Sequence, residues 1–340
     1  MPISAIRDRV SASLAAFAWD EWAQMGVSAD ARRVSPWAAD PEAHFLFGLE
    51  IGRADPRLFD ELLDWLVTNA NVMSAQRLRN MSGSEEDEQL VEATLAWASR
   101  YVRSIRVGVH RNAKTQQTTP LFYGSRAPSK PDPAFLELGL LKPSSEPSGK
   151  SRRPDTLRPI NFAFLVRQIF GVGSRAEVMR FLLTATVRSP SGSRPLFTTL
   201  AIAEAAGFAK RNVQETLNSL VGARAIEAVT RGNERLYSVD PAAWTSAIHL
   251  EQLPSYRDWP NAFLALRELH RWLWREDLSE LTPYMLSSEA RRLMRAIEPA
   301  LVYAGIPVSA WHPAEGADYW PAFEQTVEQI LHALESGLPW

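Results

Sequence analysis

Three residues at fixed spacing, Ala203, Gly207 and Val213, constrain the fold of this chain more than any other feature. Ala203 sits in Leu200-Ala201-Ile202-Ala203-Glu204-Ala205-Ala206, an apolar run that reads as a short helix with Thr198 or Thr199 able to cap it. A small side chain at 203 lets two helices cross closely. Gly207 then supplies the positive φ that a tight turn between helices demands. Val213, Leu217 and Leu220 put an apolar stripe on the next helix, Lys210 to Leu220. An earlier helix is read from Ala176, Val178, Met179, Phe181, Leu182 and Leu183, separated from the second by a polar loop, Ser189 to Pro195. Downstream, Ala225 to Thr230 alternates as a strand, Arg231-Gly232-Asn233-Glu234 turns, and Arg235 to Val239 returns.

Charge adds a second constraint. The formal net charge is −2, which argues against a nonspecific polyanion coat. Its distribution is uneven: residues 1–120 carry −3, 121–159 carry +3, 160–244 carry +4 and 245–340 carry −6. The positive block coincides with the helix–helix–helix–hairpin segment and the stretch before it. The face of the third helix opposite its apolar stripe carries Lys210, Arg211, Gln214, Glu215 and Asn218, a polar surface that a DNA major groove can accept. Lys210 and Arg211 oppose the dipole at a helix start, a mild local cost that a nearby phosphate would offset.

Three helices followed by a hairpin is the winged helix-turn-helix order. Through Ile202 to Val213, Leu217, Leu220, Ala225, Ile226 and the wing ending at Tyr237, residues 175–240 resemble the winged helix-turn-helix domains of bacterial MarR-like and ArsR-like transcriptional regulators. The resemblance covers roughly a fifth of the chain. It implies sequence-specific binding of double-stranded DNA, a role in transcriptional regulation, and dimerisation through flanking helices. Thr199, Lys210, Arg211, Asn212, Gln214 and Asn218 would serve the major groove, and Arg231, Asn233 and Arg235 the backbone or minor groove. The competing expectation is a winged-helix protein–protein interaction module of a larger complex.

The remaining chain reads as mainly α, so the expected architecture is helical N- and C-terminal domains around a central winged helix-turn-helix with a small β-hairpin wing. The N-terminal domain is expected over 1–123, with helix-start signals at Asp40-Pro41 and Asp55-Pro56 and a further helix from about Glu88 to Arg103. Residues 124–159 hold prolines at 128, 131, 133, 143, 147, 154 and 159, and read as a basic linker. Within it Ala134 to Leu141 is expected to dock as a short helix and Ser144 to Pro154 to be mobile. The central unit is expected over 160–244 and the C-terminal helices over 245–340, at Ala262–Arg275, Ser287–Tyr303 and Tyr319–Leu334.

Other chemistry is scarce. There is no cysteine, which removes disulfides, thiolate metal sites and a cysteine nucleophile, and fits a reducing cytoplasm. No apolar run reaches the 18 residues a membrane span needs, and the first residues lack the pattern of a secretory signal. The histidines, at 44, 110, 249, 270, 312 and 332, show no metal-ligand spacing. Tyr123-Gly124-Ser125-Arg126 has the Gly-Ser opening of minimal nucleotidyltransferases, but only Asp132 follows where a carboxylate pair is needed. No enzyme, metal or cofactor is therefore expected; an effector, if there is one, is not legible. Arg267, Arg271 and Arg275 form a stripe expected to pair with nearby acids, and the twelve tryptophans are expected in helix cores.

Overall fold

A computed structural model describes residues 2–105, 118–188, 194–306, 316 and 319–336. The architecture is mainly helical. The first helices are α1 (Ile3–Gln24), α2 (Pro41–Gly52), α3 (Pro56–Asn69), α4 (Ala75–Met81) and α5 (Glu85–Ser99). Both Asp-Pro signals start helices as read: the Asp40 carboxylate accepts from Ala43 N–H, and Asp55 accepts from Arg57 and Leu58 N–H. α5 begins earlier than expected, because Ser84 caps it through Asp87 N–H and the acidic run at 85–88 forms its first turn, where the helix dipole favours negative charge.

The terminal regions are not separate bodies. α12 (Trp259–Leu273), α13 (Pro283–Tyr303) and α14 (Tyr319–Ser336) close onto the N-terminal helices, with α2 against α12 and α1 against α14. One core unites Trp22, Phe45, Trp65 and Trp97 with Trp259, Phe263, Leu269 and Phe323. A buried indole N–H usually finds a partner: Trp65 Nε1 donates to Met25 O at 2.7 Å and Trp259 Nε1 to Ala38 O at 2.9 Å, whereas the Nε1 atoms of Trp22 and Trp97 meet no acceptor among the described residues. The three arginines expected as one helical stripe pair with acids, though α12 ends at Leu273 and leaves Arg275 beyond it: Arg267 pairs with Asp87 at 2.7 Å, Arg271 with Asp87 and Glu86 at 2.8 Å each, and Arg275 with Asp277 at 2.6 Å.

Between the terminal regions the chain runs through β1 (Thr119–Pro120), α6 (Pro133–Leu136) and β2 (Leu140–Leu141), with β1 parallel to β2. The 144–154 stretch, expected to be mobile, is hydrogen-bonded to the N-terminal helices at several points. The Asp64 carboxylate accepts from Gly149 N–H at 2.6 Å and Ser151 N–H at 2.9 Å, and Arg152 N–H donates to Gly26 O at 2.8 Å. Just upstream, Lys142 is buried, with Nζ 2.7 Å from Asp60 and its ammonium over the rings of Phe59 and Phe135. Proline removes local hydrogen bonds from such a segment, and these long-range anchors replace them.

The central unit comprises α7 (Phe162–Phe170), α8 (Ser174–Ala185), β3 (Phe197–Thr198), α9 (Thr199–Ala206), α10 (Lys210–Gly222), β4 (Glu227–Arg231) and β5 (Glu234–Ser238), followed by α11 (Pro241–Ala247). Of the polar loop expected over 189–195, residues 189–193 lie outside the described residues. The strands form one antiparallel sheet in the order β3-β5-β4, with Phe197 opposite Tyr237 and Arg231 opposite Glu234. A second core gathers Met179, Leu182, Ile202, Ala203, Ala206, Val213, Leu217, Leu220, Ile226 and Tyr237. The apolar stripe of α10 thus packs inward, and its other face is left to solvent.

Candidate nucleic-acid interface

The turn between α9 and α10 sets the direction of α10. Thr198 caps α9 by accepting from Ala201 N–H, and Gly207 ends it in the left-handed region at φ 68°, ψ 31°. A Cβ at Gly207 would also lie 3.0 Å from Arg77 Nε, so the backbone favours glycine and the space above it is tight. The turn is gripped from the N-terminal region: Arg77 Nε donates to Ala206 O at 2.8 Å and Asn80 Nδ2 to Gly207 O at 3.3 Å.

Arg77 belongs to a buried cluster of three arginines and three carboxylates. Its guanidinium meets Asp40 through both terminal nitrogens and Glu42 at 2.7 Å. Arg167 on α7 reaches Glu42 and Glu177 at 2.6 Å each, and Arg180 on α8 reaches Glu177 at 2.8 Å and Asp40 at 3.0 Å. All six side chains are at most 1 % exposed. Burial alone would push the carboxyls of Asp40 and Glu177 up. For Asp40 the guanidiniums of Arg77 and Arg180 more than offset that, and for Glu177 those of Arg167, Arg77 and Arg180 do, so both acids are held well below the usual carboxylate range. In turn, against the opposing effect of burial, the carboxylates of Asp40, Glu177 and Glu42 raise Arg77, and those of Glu177 and Glu42 raise Arg167. The cluster is formally neutral and spans α2, α4, α7 and α8, so it fixes the central unit on the terminal helices.

On the open side, Lys210, Arg211, Asn212 and Asn218 are exposed on α10. Ala209 precedes the helix without a side-chain cap, so the first N–H groups of α10 face outward beside Lys210 and Arg211. Arg211 pairs with Glu215 at 3.2 Å, an exposed contact of little energetic weight. The hairpin is tied to the helix: Arg235 Nη1 donates to Asn218 Oδ1 at 3.1 Å, and the Arg235 guanidinium lies 5.6 Å from the Tyr237 ring centre. Gln214 Nε2 donates to Asn218 Oδ1 at 3.2 Å and to Tyr237 Oη at 2.9 Å, while its Oε1 accepts from Thr199 Oγ1 at 3.0 Å.

The nine expected contact residues therefore divide. Thr199, Gln214, Asn218 and Arg235 form one hydrogen-bonded patch. Thr199 is only 8 % exposed and Gln214 is half-buried with its amide engaged, so these two support the patch from beneath. Lys210, Arg211 and Asn212 stand at the start of α10, and Arg231 and Asn233 at the hairpin tip, joined to the patch by no side-chain bond among the described residues. Sequence reading missed Tyr237, which carries both Gln214 and Arg235. Sequence reading placed it only at the end of the wing, because its partner Gln214 lies 23 positions away.

Of the Tyr123-Gly124-Ser125-Arg126 motif, Tyr123 packs inward while Gly124, Ser125 and Arg126 are exposed. Tyr123 Oη donates to Glu50 Oε1 at 2.7 Å, His270 Nδ1 meets the same oxygen at 3.0 Å, and Asp132 caps α6 and pairs with Arg100 at 2.8 Å. Burial would raise Glu50, but the His270 hydrogen bond and the charges of Arg53 and Arg271 bring it down to about 2. No protein-family model matches the chain, and neither a curated protein nor a solved structure does.

Proposed function

We propose that residues 175–240 are a winged helix-turn-helix and that the protein binds double-stranded DNA through it, as a sequence-specific regulator of transcription. The observation that carries this reading is the tie between Arg235 and Asn218, which joins the exposed face of α10 to the hairpin that carries Arg231 and Arg235. α10 would enter the major groove with Arg211, Asn212 and Asn218 toward base edges. Lys210 and the uncapped N–H groups beside it would meet a phosphate. Arg231, Asn233 and Arg235 would follow the adjacent backbone or minor groove, and Thr199, Gln214 and Tyr237 would hold the reading residues in place.

Selection of genomic fragments by the purified chain, followed by fluorescence anisotropy on the selected duplex, tests this. Affinity should fall with salt at a log–log slope of about 0.9 per neutralised phosphate, and the Lys210→Ala/Arg211→Ala variant should bind more weakly with a slope shallower by up to about 2. An inverted repeat in the selected site would support a homodimer. Absence of any duplex affinity at low salt would sink the reading and favour a protein-docking role for the same surface.

A further inference from the structure

Away from α10, a cleft of about 1010 Å³ opens between the end of α1, the loop after it, α3 and the 150–158 segment. Five cationic side chains line it: Arg32, Arg57, Lys150, Arg152 and Arg158. All five are exposed, and they come from three separate stretches of chain. Among the described residues, Arg32, Lys150 and Arg152 lie within 4.0 Å of no carboxylate; Arg158 has a long 3.7 Å pair with Asp155, and Arg57 lies over the Trp19 ring at 5.1 Å. The acids lining the cleft are Asp20 and Asp30. Asp20 is engaged by the backbone N–H groups of Arg32 and Arg33. Glu61 on α3 lies close enough to feel Arg57 and Lys150, and burial first, then Asp64, raises its carboxyl above the ordinary value.

The backbone beneath these cations is built. Lys150 sits between Gly149 and Ser151, whose N–H groups share the buried Asp64 carboxylate. Arg152 is held on both sides: its N–H donates to Gly26 O at 2.8 Å, and its carbonyl accepts from the buried Asn69 Nδ2 at 3.0 Å. Gly26 adopts φ +106°, and a Cβ there would come within 2.4 Å of Arg152 O, so the approach exists only with glycine. Buried polar groups thus fix the backbone of a Pro/Ser-rich segment that brings Lys150, Arg152 and Arg158 to the lining of the cleft beside Arg32 and Arg57. A polyanion is the ligand that complements such a concentration of positive charge.

We propose that this cleft binds a compact polyphosphate group, as carried by a nucleoside triphosphate or by inorganic triphosphate. Its volume lies at the upper end of the range of small-ligand sites, and its concavity suits a compact anion better than the convex backbone of a duplex. Clustered Arg and Lys donors on phosphate oxygens give charge-assisted hydrogen bonds. The proposal does not rest on DNA binding by α10.

Calorimetric titration of the full chain with inorganic triphosphate, and separately with ATP, tests it. Both should bind at low salt. Equal affinity identifies the phosphates as the recognised group, and tighter ATP binding adds a base contact. The exposed-residue variant Lys150→Ser/Arg152→Ser should lose at least about tenfold in affinity for both, with an unchanged circular dichroism spectrum. The anchor variant Asp64→Asn should also weaken binding. No binding of either probe to the wild type, or undiminished binding to the double variant, overturns the proposal. A double variant that loses duplex affinity while the wild type ignores triphosphate overturns it too, and makes the cleft a DNA contact.

Discussion

Behind the α9–α10 turn, Arg77, Arg167 and Arg180 are buried and paired with Asp40, Glu42 and Glu177; in front of it, Lys210, Arg211, Arg231 and Arg235 are exposed. The same residue types serve opposite ends. A buried guanidinium must satisfy its donors within the protein or destabilise it strongly, whereas an exposed one stays hydrated and available to a partner. Gly207 is the hinge of the comparison, because Arg77 packs against the backbone from which α10 departs. Variants behind the turn should therefore be read in stability, and variants in front of it in binding.

Acid offers the largest break. Asp40, Glu177 and Glu50 are all held low in the folded state, so each contributes stability that is fully present above its unfolded pKa of about 4 and is lost as pH falls through its folded pKa. For Glu50, brought to about 2, the contribution is on the order of 3 kcal/mol, and the two cluster acids add to it. Urea midpoints should be flat from pH 7 to about 5 and then fall steeply toward pH 2. A flat profile down to pH 3 would show that these carboxylates are not held low.

Next in size is Arg77→Met. It leaves Asp40 without its bidentate partner and Glu42 with Arg167 as its one remaining cation, at a cost of about 3–5 kcal/mol in urea unfolding. It also releases Ala206 O, so duplex affinity should fall although the residue is nowhere exposed. A loss below about 1 kcal/mol would remove the distinction between the two sides of the turn.

This inner half was the part that sequence could not reveal. The Asp-Pro caps, the Gly207 turn, the α10 stripe and the hairpin were legible because each is written within a few neighbouring residues. The cluster pairs Asp40 with Arg180 across 140 positions and Glu42 with Arg167 across 125, and no local pattern carries such a pairing. It also alters the meaning of the charge count. Arg167 and Arg180, which contribute to the +4 of residues 160–244, point inward and offer nothing to a partner. The 144–154 stretch misled for a related reason: its composition favours disorder, while Asp64 and Asn69 on α3 supply the hydrogen bonds it lacks locally. On the outer face, Gln214 read as exposed because helical spacing put it there, but Tyr237, 23 residues later, claims its amide.

A smaller effect is expected at the hinge itself. Gly207→Ala forces an L-residue into the left-handed region and presses its methyl on Arg77, costing about 1–2 kcal/mol. Because Arg77 Nε is the nearest atom to the added methyl, combining Gly207→Ala with Arg77→Met should be less than additive in urea unfolding.

The smallest change in stability, and the sharpest test of the comparison, is Lys210→Ala. Lys210 is exposed at the first position of α10, where its charge opposes the helix dipole, and no cap offsets it. Alanine there should raise thermal or urea stability by a few tenths of a kcal/mol, while weakening duplex binding about equally across sequences and lowering the salt slope by about 1. Opposite signs for folding and binding would mean that the residue is retained at a structural cost for a ligand outside the protein. If Lys210→Ala instead destabilises the fold and leaves duplex affinity unchanged, the front of the turn is structural like its back, and the DNA-facing assignment of α10 fails.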